Sequence, residues 1–341
     1  MKTQFISLEY IADLDLYKLE KPYFLTQIPG FEAEESTNLK YSTKDGITLS
    51  DCRGHESEFT LDTHSFSFDR VPLSVDYDKT TQADTKYMRD MVEYAQERFQ
   101  ADRVICYDIR RRLDVPMTKE NKASNDRSLP APAVTAIHID GGFHRIKRHL
   151  SDEEQTNYLN GGYRVRIINI WRPLFRNVTQ SPLAFCDTRT LHESDLVPAD
   201  RVSPEYAGEI YYVRPSTKQR WYWLSEMTPD EIAVFVSFDS AHADVQDPIN
   251  YCAHASFLNP QAPAEAPPRE SLEIRLIVIT KKEDQQFKTT MDPIDHTKAS
   301  TQLQQPWKSM ISVPKLKKVE KHEDKEIRLQ PERDQHNGLG G

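Results

Sequence analysis

The chain has 341 residues, 38% of them hydrophobic, and a formal net charge of -9. This is ample for one large core; length alone suggests about two domains, although β-barrel domains often run past ~200 residues as single units. The acidic balance excludes a general nucleic-acid binder, which needs a basic face, and no apolar run is long enough to cross a bilayer.

Residues 1–23 mix charges with apolar side chains and contain no signal-peptide core. Together with the acidic pI they point to a cytoplasmic monomer or homodimer. Residues 1–82, including a Ser/Thr/Asp/His-rich stretch at 51–69, predict short strands and loops, an N-terminal extension packed on the core. From 83 to 103, Met88, Met91, Val92, Ala95 and Phe99 recur at helical spacing and predict a helix lying on a sheet. RVICYDI (103–109) reads as a strand, 119–132 as a polar loop, and 134–139 as the strand that ends in His138-Ile139-Asp140. A basic stretch follows at 143–150, with His144 and His149 read as surface residues; Ser151 then caps a helix with an acidic first turn.

Further strands are predicted at 163–171 (stopped by Arg172-Pro173), 182–186, 209–213, the aromatic-rich 220–224, 232–238 after a turn at 227–231, 253–258, and 271–280. A Pro/Ala-rich connection occupies 259–268. Many strands, few helices and turn-rich connections indicate a mainly β sandwich or barrel with helical additions over 83–281. Residues 282–341 are rich in Lys, Glu, Gln and Asp, and predict a polar, largely disordered tail with one docked piece around Trp307. Cys52, Cys106, Cys186 and Cys252 lack zinc-type pairing and read as free thiols, Cys252 as a small buried hydrophobe.

The chemistry-bearing motif is His138-Ile139-Asp140. Residues i and i+2 of an extended segment point to one side, so His138 and Asp140 can hold one metal together. Two imidazoles and one carboxylate suit iron(II) and leave positions open for a co-substrate and dioxygen. The second histidine must come from another strand, and His254 and His242 are the candidates. Asn169 and Trp171 share parity on the central strand and can line a pocket, while Arg172 either binds a carboxylate or pairs with Asp187 or Asp239. Trp221, Tyr222 and Trp223 form core or wall a hydrophobic substrate cavity. On the last strand Arg269, Ser271, Glu273 and Arg275 share one face, and an arginine there can fork onto a carboxylate. Arg275 sits deeper among apolar residues and needs an anionic contact, which Glu273 can supply.

Seven phrases in order, HID (138–140), INIWRPL (168–174), SPLAFCD (181–187), RWYWLSEMTPDE (220–231), SFDS (237–240), HASFLNP (254–260) and APPRESLEIRLIV (266–278), resemble a fungal and bacterial gibberellin-desaturase-like, or cephem-methoxylase-like, family. The resemblance covers roughly residues 100–280. It implies a double-stranded β-helix (a jelly-roll, cupin-like core) and a non-haem iron(II), 2-oxoglutarate-dependent dioxygenase that hydroxylates or desaturates a secondary metabolite. It favours His254 over His242, giving His138, Asp140 and His254 as iron ligands. Arg269-Glu270-Ser271 resembles the Arg-x-Ser pattern of related oxygenases, where both side chains hold a carboxylate. Arg269 with Ser271, or Arg275, is then the 2-oxoglutarate site, with Asn169 beside it. The implied partner is a small, hydrophobic metabolite, with no nucleic acid and no membrane. The alternatives are a non-catalytic β-barrel that binds a metabolite or protein, and a zinc hydrolase using the same ligands.

Overall fold

The computed structural model describes residues 1–26, 36–75, 83–114, 131, 133–204, 206–242 and 251–282. The loop expected at 119–132 is therefore represented by Ala131 alone, and the tail with Trp307 lies outside the described residues apart from Lys282. The strands are β1 (Thr3–Ile11), β2 (Tyr23–Leu25), β3 (Tyr41–Asp51), β4 (Phe66–Arg70), β5 (Arg103–Leu113), β6 (His138–Ile139), β7 (Tyr163–Pro173), β8 (Leu183–Cys186), β9 (Leu196–Ser203), β10 (Tyr206–Val213), β11 (Trp221–Trp223), β12 (Glu231–Asp239), β13 (His254–Ser256) and β14 (Glu270–Lys281). They form a nine-stranded sheet, β1-β3-β11-β8-β13-β6-β10-β9-β2, and a five-stranded sheet, β4-β12-β7-β14-β5. This is the mainly β, double-stranded β-helix core that the family phrases imply, with the larger sheet curled and partly open.

The curl follows from one contact. Ile137 N donates to Glu9 O at 2.9 Å, so β1 touches the segment before β6 as well as pairing with β3. Ile6, Leu8, Tyr10, Leu49, Ile139 and Trp221 pack inside that curl. A second core lies between the sheets, where Phe66, Phe235 and Trp171 meet Phe185.

The five-stranded sheet is buried on both faces, which explains the near-continuous apolar runs of β7, β12 and β14. Residues of one parity (Ile168, Ile170, Val234, Leu272, Ile274) pack under the helix Ala83–Phe99 through its Tyr87, Met91, Val92 and Ala95. Arg172 lies on that face: its Nε donates to Tyr87 Oη at 3.1 Å and Nη1 to Pro229 O at 2.9 Å, so it pairs with neither Asp187 nor Asp239. Those carboxylates are taken by Arg189 and Arg164. Residues of the other parity face the nine-stranded sheet.

Several elements differ from the reading of the sequence. The first 82 residues contain two long strands, β1 and β3, where short ones are predicted; β3 is largely exposed, and its polar residues hide the pattern. β9, with Pro198, Asp200, Arg201 and Ser203 among its eight residues, carries no recognisable apolar run. The strand ending at the metal motif is only His138–Ile139, and the basic stretch is a helix, Phe143–His149. His144 is exposed there, whereas His149 is half-buried and stacks on Tyr107 at 4.8 Å. Ser151 caps the helix Asp152–Tyr158 in a capping box with Glu154, as its position predicts. All four cysteines are free and buried.

The two faces of β7 give a test. Ile170 has no exposed surface; Ile170→Ala should lower the urea unfolding free energy by about 2–5 kcal/mol while leaving metal affinity at the wild-type value, because the side chain faces the helix.

Candidate metal centre

Two neighbouring strands of the nine-stranded sheet bring the histidines together. His254 on β13 stands directly opposite His138 on β6, and their ring centroids are 4.4 Å apart. Asp140 follows two residues after His138, and one ligand atom from each of the three lies within 4.8 Å of the others. His138 Nδ1 bonds Ala136 O at 2.9 Å and His254 Nδ1 bonds Cys252 O at 3.1 Å. A backbone carbonyl at Nδ1 selects the tautomer whose Nε2 lone pair is free for a metal. Phe235 packs on the His254 ring at 4.5 Å and fixes its plane.

The carboxylate is held from the opposite sheet. Asp140 Oδ2 accepts from Asn169 Nδ2 at 2.7 Å and from Arg275 Nε at 3.1 Å. The same Asn169 nitrogen donates to Glu273 Oε1 at 2.9 Å, and Asn169 Oδ1 accepts from Ser237 Oγ at 3.0 Å. Arg275 completes its set with Asp108 at 2.7 Å and Glu273 at 2.9 Å. Glu273 Oε2 pairs with Arg112 at 3.2 Å. Burial raises Asp140, but Arg275 and then the two histidines more than offset it and hold the carboxyl well below its usual value. Glu273 is likewise raised by burial and lowered further by Arg275 and Arg112.

Beside the triad a small pocket, open to solvent, is lined by Val134, Trp171, Leu183, Phe235, Arg269 and Glu273 among others. Arg269 is 3% exposed. Its Nη1 donates to Ser181 O at 2.6 Å and Ser256 Oγ at 3.0 Å, and its guanidinium lies 5.7 Å from the Trp171 ring centroid. No carboxylate among the described residues pairs with it, and its Nε is buried without a partner. Burial, then the charge of Arg112, push Arg269 down to about 10. Two more buried polar atoms are unsatisfied nearby: Ser271 Oγ, two residues along the same face of β14, and Trp171 Nε1.

The comparisons with known proteins agree with this arrangement. A family profile described as "Oxidoreductase/YMDC permease-like domain" matches residues 8–279. The "Fe(II)/2-oxoglutarate-dependent dioxygenase nvfI" of Aspergillus novofumigatus is 28% identical over 270 residues, which cover 76% of this chain and 91% of the relative. The "Hydroxylase/desaturase efuI" of Hormonema carpetanum is 28% identical over 273 residues, 74% of this chain and 88% of the relative. The fold matches a solved structure titled "iron and alpha-ketoglutarate-dependent endoperoxidase NvfI" with a TM-score of 0.67 at 23% identity, covering 82% of this chain and 99% of that one.

The chain belongs to the family of that profile, and its homology and structure match the fungal Fe(II)/2-oxoglutarate-dependent hydroxylases and desaturases. It is an oxidoreductase that uses iron(II), 2-oxoglutarate and dioxygen on a small metabolite. Family membership sets aside the zinc hydrolase and the non-catalytic binder. Among the described residues, no helix of this oxygenase is long and apolar enough to cross a membrane.

The structure brings His138, Asp140 and His254 into one cluster, and the side chain of His242 lies outside the described residues. Arg269 and Arg275, equal by parity, part company: Arg275 commits all three guanidinium nitrogens to carboxylates, and Arg269 has none. Asn169 is buried against Asp140, Glu273 and Ser237 rather than lining the cavity. Trp171 does line it, whereas Trp221 and Trp223 are core inside the curl of the large sheet. Arg112 and Phe235 line the cavity without having been singled out in the sequence. The signal for Arg112 is its register: Arg112, Arg110 and Asp108 of β5 stand opposite Ser271, Glu273 and Arg275 of β14.

Burial and the neighbouring His254 push His138 from 6.5 down to about 4. Between those values the unfolded chain binds a proton that the folded chain does not. The metal-free fold should therefore lose up to about 3 kcal/mol as pH falls through the unfolded value toward the folded one. Melting curves of metal-free wild type and His138→Gln across that range check this: the variant should show a flatter pH dependence.

Proposed function

We propose that His138 and His254, each through Nε2, and Asp140, through the oxygen not held by Asn169 and Arg275, bind the iron, and that Arg269 and Ser271 bind the distal carboxylate of 2-oxoglutarate. The observation that carries this reading is Arg269: a buried cation with no carboxylate partner among the described residues, beside the triad, with an unsatisfied serine hydroxyl on the same strand face. A buried charge left unpaired is costly, and a ligand carboxylate removes that cost. The donor set fits the metal equally well, because both histidines have Nδ1 occupied and Nε2 available.

When bound, iron(II) with 2-oxoglutarate and dioxygen supplies the oxidation of an unactivated carbon–hydrogen bond, with succinate and carbon dioxide as co-products. The residues of this chain orient and exclude. Arg269 and Ser271 fix the far end of the co-substrate; Trp171 sits beneath the guanidinium and limits its swing, with its indole N–H as a further donor. Phe235, Leu183 and Val134 give the cavity an apolar wall that keeps water from the reacting atoms. That wall supports a small, hydrophobic metabolite as substrate. Whether hydroxylation or desaturation results depends on which substrate hydrogen is held nearest the metal. The acidic composition fits a cytoplasmic setting.

Anaerobic titration with iron(II) followed by 2-oxoglutarate should give a weak visible charge-transfer band in wild type and none in His138→Ala. Arg269→Ala should retain iron but bind 2-oxoglutarate roughly a hundredfold more weakly, the loss typical of removing one partner of a buried hydrogen-bonded charge pair. Unchanged 2-oxoglutarate affinity in a folded Arg269→Ala protein would move the co-substrate site elsewhere.

A further inference from the structure

Asp140 is surrounded by a closed ring of hydrogen bonds. Asn169 Nδ2 bridges Asp140 Oδ2 and Glu273 Oε1 at 2.7 and 2.9 Å, and Arg275 bridges the same two oxygens at 3.1 and 2.9 Å. Two donors therefore converge on each of two carboxylate oxygens. Neither donor is free to drift: Ser237 orients the Asn169 amide, and Asp108 anchors the far nitrogen of Arg275. The ring is built in one plane of strand register, Asn169 of β7 standing opposite Arg275 of β14 and Glu273 two residues further along.

We propose that Asn169 and Arg275, tied together by Glu273, are positioning residues that restrict Asp140 to a single metal bond. The inference rests on the assignment of Asp140 as an iron ligand. A carboxylate oxygen has two lone pairs, and both on Oδ2 are taken by the ring. Only Oδ1 remains for the metal. A second bond from Asp140 would occupy a position that 2-oxoglutarate or dioxygen needs, since a facial set of three protein ligands works by leaving the opposite face open. Glu273 stops Arg275 from closing on Asp140 as a fork, because one nitrogen is drawn to Glu273 and another to Asp108. The polar ring has buried apolar neighbours in the sheet: Phe235 of β12 stands opposite Asn169, and Ile167 lies two residues before it on β7. An apolar set of similar volume would be as stable or more so, which points to positioning as the reason for the charges.

The test is anaerobic cobalt(II) titration, read by the visible d–d bands and by competition with a chelator. Wild type, Asn169→Ala, Arg275→Lys and Ser237→Ala are compared, with His138→Ala as the ligand control. Asn169→Ala and Arg275→Lys should bind cobalt 10- to 100-fold more weakly, the usual loss on removing a partner of a metal ligand, and their d–d bands should shift as the second carboxylate oxygen becomes available. Arg275→Lys keeps the charge and loses the fork, so a purely electrostatic role would leave its spectrum unchanged. Ser237→Ala removes only the bond that orients Asn169; it should show a smaller loss of the same kind, and it decides the matter if circular dichroism finds either larger variant unfolded. Wild-type affinity and spectrum in folded Asn169→Ala and Ser237→Ala would overturn the proposal. Equal binding by wild type and His138→Ala would instead overturn the assignment of the triad itself, and the positioning role with it.

Discussion

Asp140 obliges this β-fold to keep a negative charge in its interior. Asp140 must be ionised to hold a metal, and its side chain is only 16% exposed. An unpaired buried carboxylate would take up a proton. The fold prevents this with Arg275, which is itself buried and needs more than one anion. Glu273 and Asp108 meet that need, and Glu273 in turn meets Arg112. Charges of alternating sign thus run across β14 and β5 in place of the apolar residues that would otherwise fill the interior. In the β5–β14 register Asp108, Arg110 and Arg112 stand opposite Arg275, Glu273 and Ser271.

The two sheets divide the work. Both histidines come from the nine-stranded sheet, where β6 and β13 place them side by side. The groups that hold Asp140, and the cation beside the cavity, come from the five-stranded sheet. The site therefore forms only where the sheets face one another, and its geometry is as rigid as their packing. Phe235, on the five-stranded sheet, makes this explicit by packing its ring, tilted by 55°, against His254 of the other. The remaining face of the five-stranded sheet is buried beneath the helix Ala83–Phe99, so neither face of β7 or β14 is free to relax toward solvent. A rigid scaffold of this kind suits chemistry whose outcome depends on which hydrogen is nearest the metal.

Local patterns carried much of this in the sequence. The His-x-Asp spacing needs only strand geometry, and the shared parity of Arg269, Ser271, Glu273 and Arg275 is visible in any extended reading. The helix at Ala83–Phe99 and the strands β7, β12 and β14 follow from periodicity and apolar runs. What stayed hidden depends on contacts between distant segments. Arg112 lies in an Arg-Arg-Arg run that looks like the solvated end of a strand; only its register against Ser271 shows that it turns inward. β1 and β3 are under-read because one face of β3 is exposed and polar. The Trp-Tyr-Trp segment reads equally as core or cavity wall until the curl of the large sheet closes around its tryptophans. Spacing does not separate His254 from His242; the family resemblance does.

The two arginines at β14 show where parity stops and energetics begins. Arg269, immediately before the strand, and Arg275 within it share parity, and by parity either could serve a carboxylate. What separates them is the count of anions around each. Arg275 has three within bonding distance and cannot accept another without losing one of them. Arg269 is more deeply buried, yet among the described residues it meets a carbonyl, a hydroxyl and an aromatic face but no carboxylate, and the nearby Arg112 makes its charge harder to keep. The fold satisfies one arginine three times over and, among the described residues, gives its neighbour no carboxylate. That asymmetry is what the proposed roles of the two cations rest on.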